Sequence, residues 1–273
     1  MRSVADFFRK PKKEHHFLRE RDNIKAVARE MVSTEHENAN LAEDGRPWNH
    51  FDTKAQTFFS SAEFGKIASL EEVKTWLDAY RNALPENERT LFSVDVCGQL
   101  SLAKDLGIDE RLALTLTNAD SNLRPENEHD HYVFGDMLKT HIRTDFFTKI
   151  QEISKARKTG LDVVFFRPVG GLGETARSEF MHLYLYEYYF RPLYEQLRDG
   201  GRMFVAAPSL VMMQFLSTIL QSVPGIQFKT DDEKKYYMIT KSGSELPDIR
   251  TVLERFPQFE SEFKVRTYGK PFK

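Results

Sequence analysis

The sequence predicts an α/β domain built on a mostly parallel β-sheet, with helices on both faces and a terminal antiparallel hairpin. Three observations lead to this fold class. Apolar segments alternate with helical patterns five times between residues 91 and 222. Residues 161–166 form a nearly continuous apolar run, which is typical of a strand buried on both faces. Two short apolar segments, 225–229 and 235–240, enclose a polar turn and predict the hairpin.

The composition limits the size and the class of the protein. The chain has 273 residues, enough for one large domain or one domain with an extension. A net charge of −2 gives no general argument for binding nucleic acid or a membrane surface. The lone Cys97 excludes an intrachain disulfide and a multi-cysteine zinc site. Because we find no apolar stretch of membrane-spanning length and no signal-peptide pattern, we expect a cytoplasmic protein.

The first part of the chain predicts a helical, polar extension over residues 1–47. Apolar residues recur at helical spacing between positions 17 and 32, and a basic run at 9–13 precedes them. We interpret the basic run as a solvated face; contact with a phosphate group or a protein partner is the alternative. We then predict the main domain over residues 48–242 and a tail over 243–273 that packs on it.

Two helices are predicted before the first strand. The first places its apolar residues on one face, among them Phe58 and Phe59. The second spans 70–82 and starts with a capping box, in which Ser69 and Glu72 satisfy each other's backbone donors.

Strands and helices then alternate. The predicted strands are 91–96, 111–117, 131–134, 161–166 and 202–207. The predicted helices are 100–106, 138–157, 174–198 and 210–222, the last with Ser209 as its cap. Helices that join parallel strands form right-handed crossovers. Such connections place helices on both faces of the sheet. With the hairpin, the sheet has seven strands.

Four short segments carry a family resemblance. They are the entry segment Phe-Asp-x-x-Ala-x-x-Phe at 51–58, Val-Asp-Val-Cys-Gly at 94–98, Phe-Gly-Asp-Met at 134–137, and Leu-Arg-Asp-Gly-Gly-Arg-Met-Phe-Val at 197–205. In this order, the chain resembles the class I, Rossmann-like, seven-stranded S-adenosylmethionine-dependent methyltransferases over roughly residues 48–241. The resemblance implies S-adenosylmethionine as cofactor and methyl transfer by direct displacement, which needs alignment more than catalytic side chains. It also implies that the entry segment covers the cofactor and that a glycine pair caps the helix before strand five.

The resemblance also implies a cofactor site with six residues. These residues are Asp95, Gly98, Asn118, Asp136, Met137 and Arg167. The first turn keeps a single glycine, Gly98, where the family usually holds several. Asp95 is expected to orient this turn and meet the methionine ammonium, or else to cap the next helix. Asn118 is expected to accept a bond from a ribose hydroxyl through its amide oxygen.

The third and fourth strands end in the remaining site residues. Asp136 is expected to accept from the adenine amino group with Met137 against the ring, and a helix N-cap is the alternative. Arg167 can clamp a carboxylate or phosphate through two parallel hydrogen bonds, or pair with a local acid such as Glu174.

Three other features have both a chemical and a structural interpretation. His129 and His131 point the same way on a strand, but no third metal ligand is evident, so we predict surface histidines and no metal site. His182 lies in a tyrosine-rich helix, where core packing competes with a substrate cage or a general base. Cys97 is predicted to be a small buried thiol, with a nucleophile as the alternative.

Three functions therefore compete. The first is an S-adenosylmethionine-dependent methyltransferase of unknown substrate, with no catalytic residue assigned. The second is an inactive protein of the same fold that binds a protein partner through its N-terminal helix and aromatic surface. The third is a dinucleotide-dependent oxidoreductase, which the terminal hairpin and the lack of a Gly-x-Gly-x-x-Gly motif disfavour.

Overall fold

A computed structural model of the protein describes residues 54–60, 64–115, 125–135, 137, 140–167, 182, 185–206 and 210–259. The predicted extension at 1–47, Asn118, Asp136 and Glu174 lie outside these residues. Among the helices of the described ranges, none is long and apolar enough to cross a membrane.

Within the described ranges, two α-helices precede the sheet and one follows it. In chain order, the helices and strands are α1 (Ala55–Ser60), α2 (Leu70–Ala83), β1 (Phe92–Val96), α3 (Ser101–Asp105), β2 (Glu110–Thr115), β3 (Asp130–Phe134), α4 (Thr140–Arg157), β4 (Leu161–Phe166), a π-helix (Tyr186–Phe190), α5 (Arg191–Gln196), β5 (Leu197–Ala206), α6 (Leu210–Ser222), β6 (Gln227–Thr230), β7 (Tyr236–Thr240) and α7 (Ile249–Arg255). The predicted capping box of α2 is confirmed, since Ser69 and Glu72 bond each other's backbone amides.

The seven strands form one sheet in the order β3-β2-β1-β4-β5-β7-β6. Strands β1 to β5 run parallel, and β7 pairs antiparallel with both β5 and β6. The predicted fold class is therefore confirmed, including the terminal hairpin. The chain leaves β1 toward β2 and β3 and then returns to place β4 on the other side of β1. The strand order thus reverses between β1 and β4.

Apolar side chains cover both faces of the sheet. One core lies under α4, the π-helix, α5 and α6, and contains Val94, Val96 and Phe166. The other lies under α1, α2 and α3 and contains Phe165 and Phe204. Since successive side chains of a strand point to opposite faces, β4 and β5 contribute to both cores. The helices on both faces agree with the sequence prediction.

The start of β5 differs from the prediction. The helix before it ends at Gln196, and β5 begins at Leu197, so the glycine pair lies within the strand and does not cap the helix. Gly200 has φ +80°, and its amide donates to the Lys241 carbonyl at 2.8 Å. The pairing of β4 and β5 shifts register at this place, which requires a local conformation that glycine adopts without strain.

The tail also contains more structure than its sequence indicated. Asp248 accepts from the Thr251 amide at 2.7 Å and caps α7, which buries Ile249 and Val252 against the first core. The sequence signal for this helix was Asp248, a favourable N-cap residue, followed by Ile249 and Val252 on one face. The boundaries predicted at residues 48 and 243 stay predictions.

The edge where the parallel strands begin, here called the amino edge, is tied together by Asp162. This fully buried carboxylate accepts from the Tyr80 hydroxyl at 2.9 Å, the Phe92 amide at 2.7 Å and Arg198 Nε at 2.7 Å. Arg157 lies 3.5 Å away. One side chain therefore joins α2, β1, β4 and β5, and its charge is balanced by two guanidinium groups.

We expect the substitution Asp162→Asn to lower the free energy of unfolding by about 3–5 kcal/mol, because two arginines lose their buried counter-charge. Urea unfolding measures the change. Glu152→Gln, which breaks an exposed pair with Lys149, is the matched control and should change stability by less than about 0.5 kcal/mol. Equal effects of the two substitutions would contradict this role of Asp162.

Candidate functional site

Three chain turns meet at the opposite edge of the sheet, here called the carboxyl edge, where the parallel strands end. The Cys97 amide bonds the Leu114 carbonyl at 2.9 Å, and the Gly135 amide bonds the Thr115 carbonyl at 3.0 Å. The Arg167 amide bonds the Val96 carbonyl at 3.1 Å. These bonds place the turns after β1, β3 and β4 side by side. Ligands of open α/β sheets bind at this edge, where the strand order reverses.

A buried ion pair lies at the reversal point. Arg167, directly after β4, donates to Asp95 of β1 through two nitrogens: Nε lies 3.1 Å from Oδ1, and Nη2 bonds Oδ2. Both side chains are buried, at 5 % and 2 % exposure. A paired guanidinium and carboxylate are strong hydrogen-bonding groups for ligands of either charge. The structure thus joins two residues that are 72 positions apart.

The turn after β1 is shaped around this pair. A Cβ atom at position 98 would clash with the Arg167 guanidinium and the Asp95 carboxylate, so the site requires Gly98. Cys97 has φ +65°, in the left-handed region that favours glycine. Glycine adopts this conformation easily, whereas cysteine adopts it at a cost of about 1 kcal/mol. The turn keeps this conformation with only one glycine.

The electrostatics of Asp95 are those of a desolvated carboxylate. Burial raises the pKa of Asp95 to about 6, and the neighbouring Arg167 opposes this shift. Asp95 does not cap α3, because the N-cap residue is Leu100 and no side chain bonds there. The predicted alternative of a helix cap is therefore wrong. Of the alternatives for Arg167, pairing with an acid is observed, and the acid is Asp95.

Helix α1 lies over the ion pair. The guanidinium carbon of Arg167 is 5.6 Å from the centre of the Phe58 ring, which stacks on Phe64 at 4.1 Å. The Ala55 amide donates to Asp105 at 3.0 Å and holds the start of α1 against α3. The entry segment thus covers the carboxyl edge on this face, and its part before residue 54 lies outside the described residues.

The turn after β3 reaches the first turn through Met137. Its side chain is fully buried, and its Sδ lies 3.6 Å from Cys97 Sγ. Its carbonyl accepts from the Tyr189 hydroxyl. Burial raises the pKa of the Cys97 thiol well above its ordinary value, with a smaller contribution from the Asp95 charge. Cys97 is therefore a buried thiol whose neutral form is favoured, which agrees with the packing interpretation.

Sequence reasoning missed Thr115, the last residue of β2. It lies on the same face as Asp95, since Ala113 pairs with Asp95 and the intervening Leu114 faces the other core. Its hydroxyl is buried and makes no hydrogen bond to any of the residues that the structure describes. A buried unpaired hydroxyl costs about 1–3 kcal/mol, so such groups often mark binding sites. Only the three-dimensional structure reveals this missing partner.

The other candidate residues lie elsewhere. Glu110 holds both histidines of the pair: its carboxylate lies 2.7 Å from His129 Nδ1 and 3.3 Å from His131 Nε2. In the part of the chain that the structure describes, no group of three or more acidic, histidine or cysteine residues is arranged to hold a metal. His182 is buried against Phe215 at 5.0 Å, and burial lowers its pKa to about 3. It packs in the core.

Comparisons with known proteins gave structural matches only. No protein-family model and no curated protein sequence matches the chain. Similar solved structures include the MycE methyltransferase of the mycinamycin biosynthetic pathway in complex with Mg and SAH, with 13 % identity, a TM-score of 0.35, and coverage of 70 % of this chain and 55 % of that one. An rRNA methylase from Streptococcus thermophilus has 12 % identity and a TM-score of 0.33 over 62 % of this chain and 93 % of that one.

A third match is cofactor-bound Rv0187 from MTB, with 11 % identity, a TM-score of 0.37, and coverage of 64 % of this chain and 82 % of that one. The chain spans little more than half the length of MycE. Because all these TM-scores are below 0.5, they do not establish a family. The fold class rests on the strand order of the chain itself.

We expect Arg167→Met to lower the free energy of unfolding by about 3–5 kcal/mol at pH 8, because the buried Asp95 carboxylate loses its partner. The loss should be smaller at pH 5. Burial raises the pKa of Asp95 to about 6 even beside Arg167, and the variant lacks the charge that opposes this shift. The carboxyl of the variant is therefore protonated at pH 5 and loses its proton only as the pH rises above about 6. Urea unfolding at both pH values measures the difference.

The double variant Asp95→Asn/Arg167→Met serves as the control for this experiment. It leaves no buried charge, so it should be more stable than Arg167→Met and should lose the pH dependence. If Arg167→Met lost the same stability at pH 5 as at pH 8, the charge of the Asp95 carboxylate would not be the cause of the loss.

Proposed function

We propose that the protein binds S-adenosylmethionine at the carboxyl edge and transfers its methyl group to a substrate. The observation that carries the proposal is the buried pair of Asp95 and Arg167 beneath the turn at Gly98, at the point where the strand order reverses. The family resemblance of these segments and the confirmed seven-stranded sheet support it. Bound there, the cofactor supplies an electrophilic methyl group on a sulfonium.

The ion pair has the chemistry to hold an α-amino acid group. Arg167 offers parallel N–H donors to a carboxylate, and Asp95 offers acceptors to an ammonium. A zwitterionic methionine group can therefore replace the internal pair by two external ones without leaving either charge unpaired in the protein. Gly98 lets the turn backbone approach the ligand closely.

The remaining predicted residues complete the proposed site. Asn118 and Asp136 are proposed for the ribose and the adenine, as the resemblance implies. Met137 is proposed at the adenine end, where its turn adjoins the first one. To this set we add the Thr115 hydroxyl, which needs a hydrogen-bond partner and ends the strand beside Asp95. Phe58 and α1 would exclude water from the amino acid end.

The first test is binding of S-adenosylmethionine and its demethylated product, S-adenosylhomocysteine, by titration calorimetry and thermal shift. At a ligand concentration 100 times Kd, binding stabilises the fold by about 2.7 kcal/mol, and the melting temperature should rise by about 5–10 °C. Methylthioadenosine lacks the amino acid group. We expect it to bind at least about tenfold more weakly, because it cannot pair with two buried charges.

Absence of heat and of a thermal shift with both ligands at millimolar concentration would refute the proposed function and would favour the inactive protein that binds a protein partner. Equal binding of S-adenosylhomocysteine and methylthioadenosine would instead refute only the assignment of Asp95 and Arg167 to the amino acid group.

Thr115→Val should stabilise the free protein by about 1 kcal/mol and weaken S-adenosylhomocysteine binding by about tenfold. Without a ligand, the unpaired hydroxyl lowers the stability of the fold; with a ligand bound, it would gain a hydrogen bond and so raise the affinity. Thr159→Val is the matched control: its hydroxyl is also buried and unpaired, but it lies just before β4 at the amino edge. It should stabilise the fold equally and leave ligand affinity unchanged. Loss of affinity in both variants, or in neither, would exclude Thr115 from the site.

A further inference from the structure

We infer that Tyr189 is a positioning residue of the cofactor site, acting through the turn that follows β3. The inference rests on the proposed function and adds a residue that lies far from the strand ends in sequence. Its basis is a buried chain of contacts that runs from Tyr189 in the π-helix, through Met137, to Cys97 in the first turn.

Met137 is held from two sides. Its carbonyl accepts from the Tyr189 hydroxyl, and its Sδ lies 3.6 Å from Cys97 Sγ. Met137 and Tyr189 have no exposed surface, and Cys97 is 3 % exposed. Because the bonded carbonyl belongs to the main chain, the hydroxyl holds the main chain at Met137 and not only one side chain. Met137 directly follows Asp136, which the proposal assigns to the adenine.

The Tyr189 ring has little freedom to move. It packs on Phe147 with ring centres 5.9 Å apart and on Phe146 at 6.3 Å, and both phenylalanines belong to α4. The same α4 supports the start of the turn, since a Cβ atom on Gly135 would lie 2.6 Å from Ile142. The turn is thus braced by α4 where it begins and by Tyr189 at Met137.

The π-helix provides an internal comparison. Tyr186 lies three residues before Tyr189 and is also fully buried. Its hydroxyl donates to the Pro247 carbonyl at 2.7 Å, in the segment that leads to α7. Two tyrosines of one helical turn therefore make the same kind of bond to two different main-chain segments, and only that of Tyr189 reaches the carboxyl edge. Single turns of π-helix occur often at functional sites.

The experiment compares Tyr189→Phe with Tyr186→Phe in the full chain. Each substitution removes one buried hydroxyl and leaves one carbonyl without its donor, so both should lower the melting temperature by a similar amount, about 2–5 °C. Only Tyr189→Phe should raise the Kd of S-adenosylhomocysteine, by about three- to tenfold. The Kd of methylthioadenosine should rise by the same factor, because both ligands carry adenine.

The outcomes separate the two proposals. No binding by the unmodified protein would refute the proposed function. Binding by the unmodified protein with equal affinities in the two tyrosine variants would overturn only the role of Tyr189. A loss for S-adenosylhomocysteine without a loss for methylthioadenosine would place the effect at the amino acid end and would also overturn it. Should Tyr189→Phe not fold, Phe147→Leu keeps the hydroxyl but loosens the ring, and it should weaken both ligands in the same direction.

Discussion

The carboxyl edge is organised around one buried ion pair, Asp95 with Arg167. Removing two charges from water is costly, and a well-packed apolar pair would often serve stability as well or better. The pair also forces glycine at position 98 and lies under the aromatic ring of Phe58. Stability alone does not require charged residues at this place. The proposed ligand, which carries two opposite charges, would account for them, because it could exchange with the pair without leaving a charge unpaired.

The two edges of the sheet are built in different ways. At the amino edge, Asp162 receives donors from α2, β1 and β5, and this edge acts as a structural joint. At the carboxyl edge, the left-handed Cys97 and the Thr115 hydroxyl, which has no partner among the described residues, lie at the strand ends beside the ion pair. The amino edge carries similar costs at the left-handed Lys158 and the Thr159 hydroxyl, so these costs alone do not mark a site. What distinguishes the carboxyl edge is that the strand order reverses there.

The sequence predicted the elements that depend on local patterns. Strand β4 was evident from its apolar run, and α2 from its capping box, because both signals lie within a few residues. The end of the helix before β5 was misplaced because a glycine pair is equally consistent with a helix cap and with an irregular strand. The pairing of β5 with β4 and β7 decides in favour of the strand. Because β4 and β7 are distant in sequence, the local pattern could not predict this outcome. Helix α7 was missed because its apolar face is short and its packing is long-range.

For the candidate site, the order of residues shows which strand ends carry charged or small residues, and it indicates Asp95, Gly98 and Arg167. The sequence did not show which hydrogen-bond partner each of these residues has, because folding brings the partner atoms together. Three contacts became visible in the folded chain alone: Asp95 bonds Arg167 and not the next helix, the Thr115 hydroxyl has no partner among the described residues, and Tyr189 holds Met137. The physical reason is that residue type and spacing specify local conformation, whereas the satisfaction of a buried polar group depends on neighbours from distant parts of the chain.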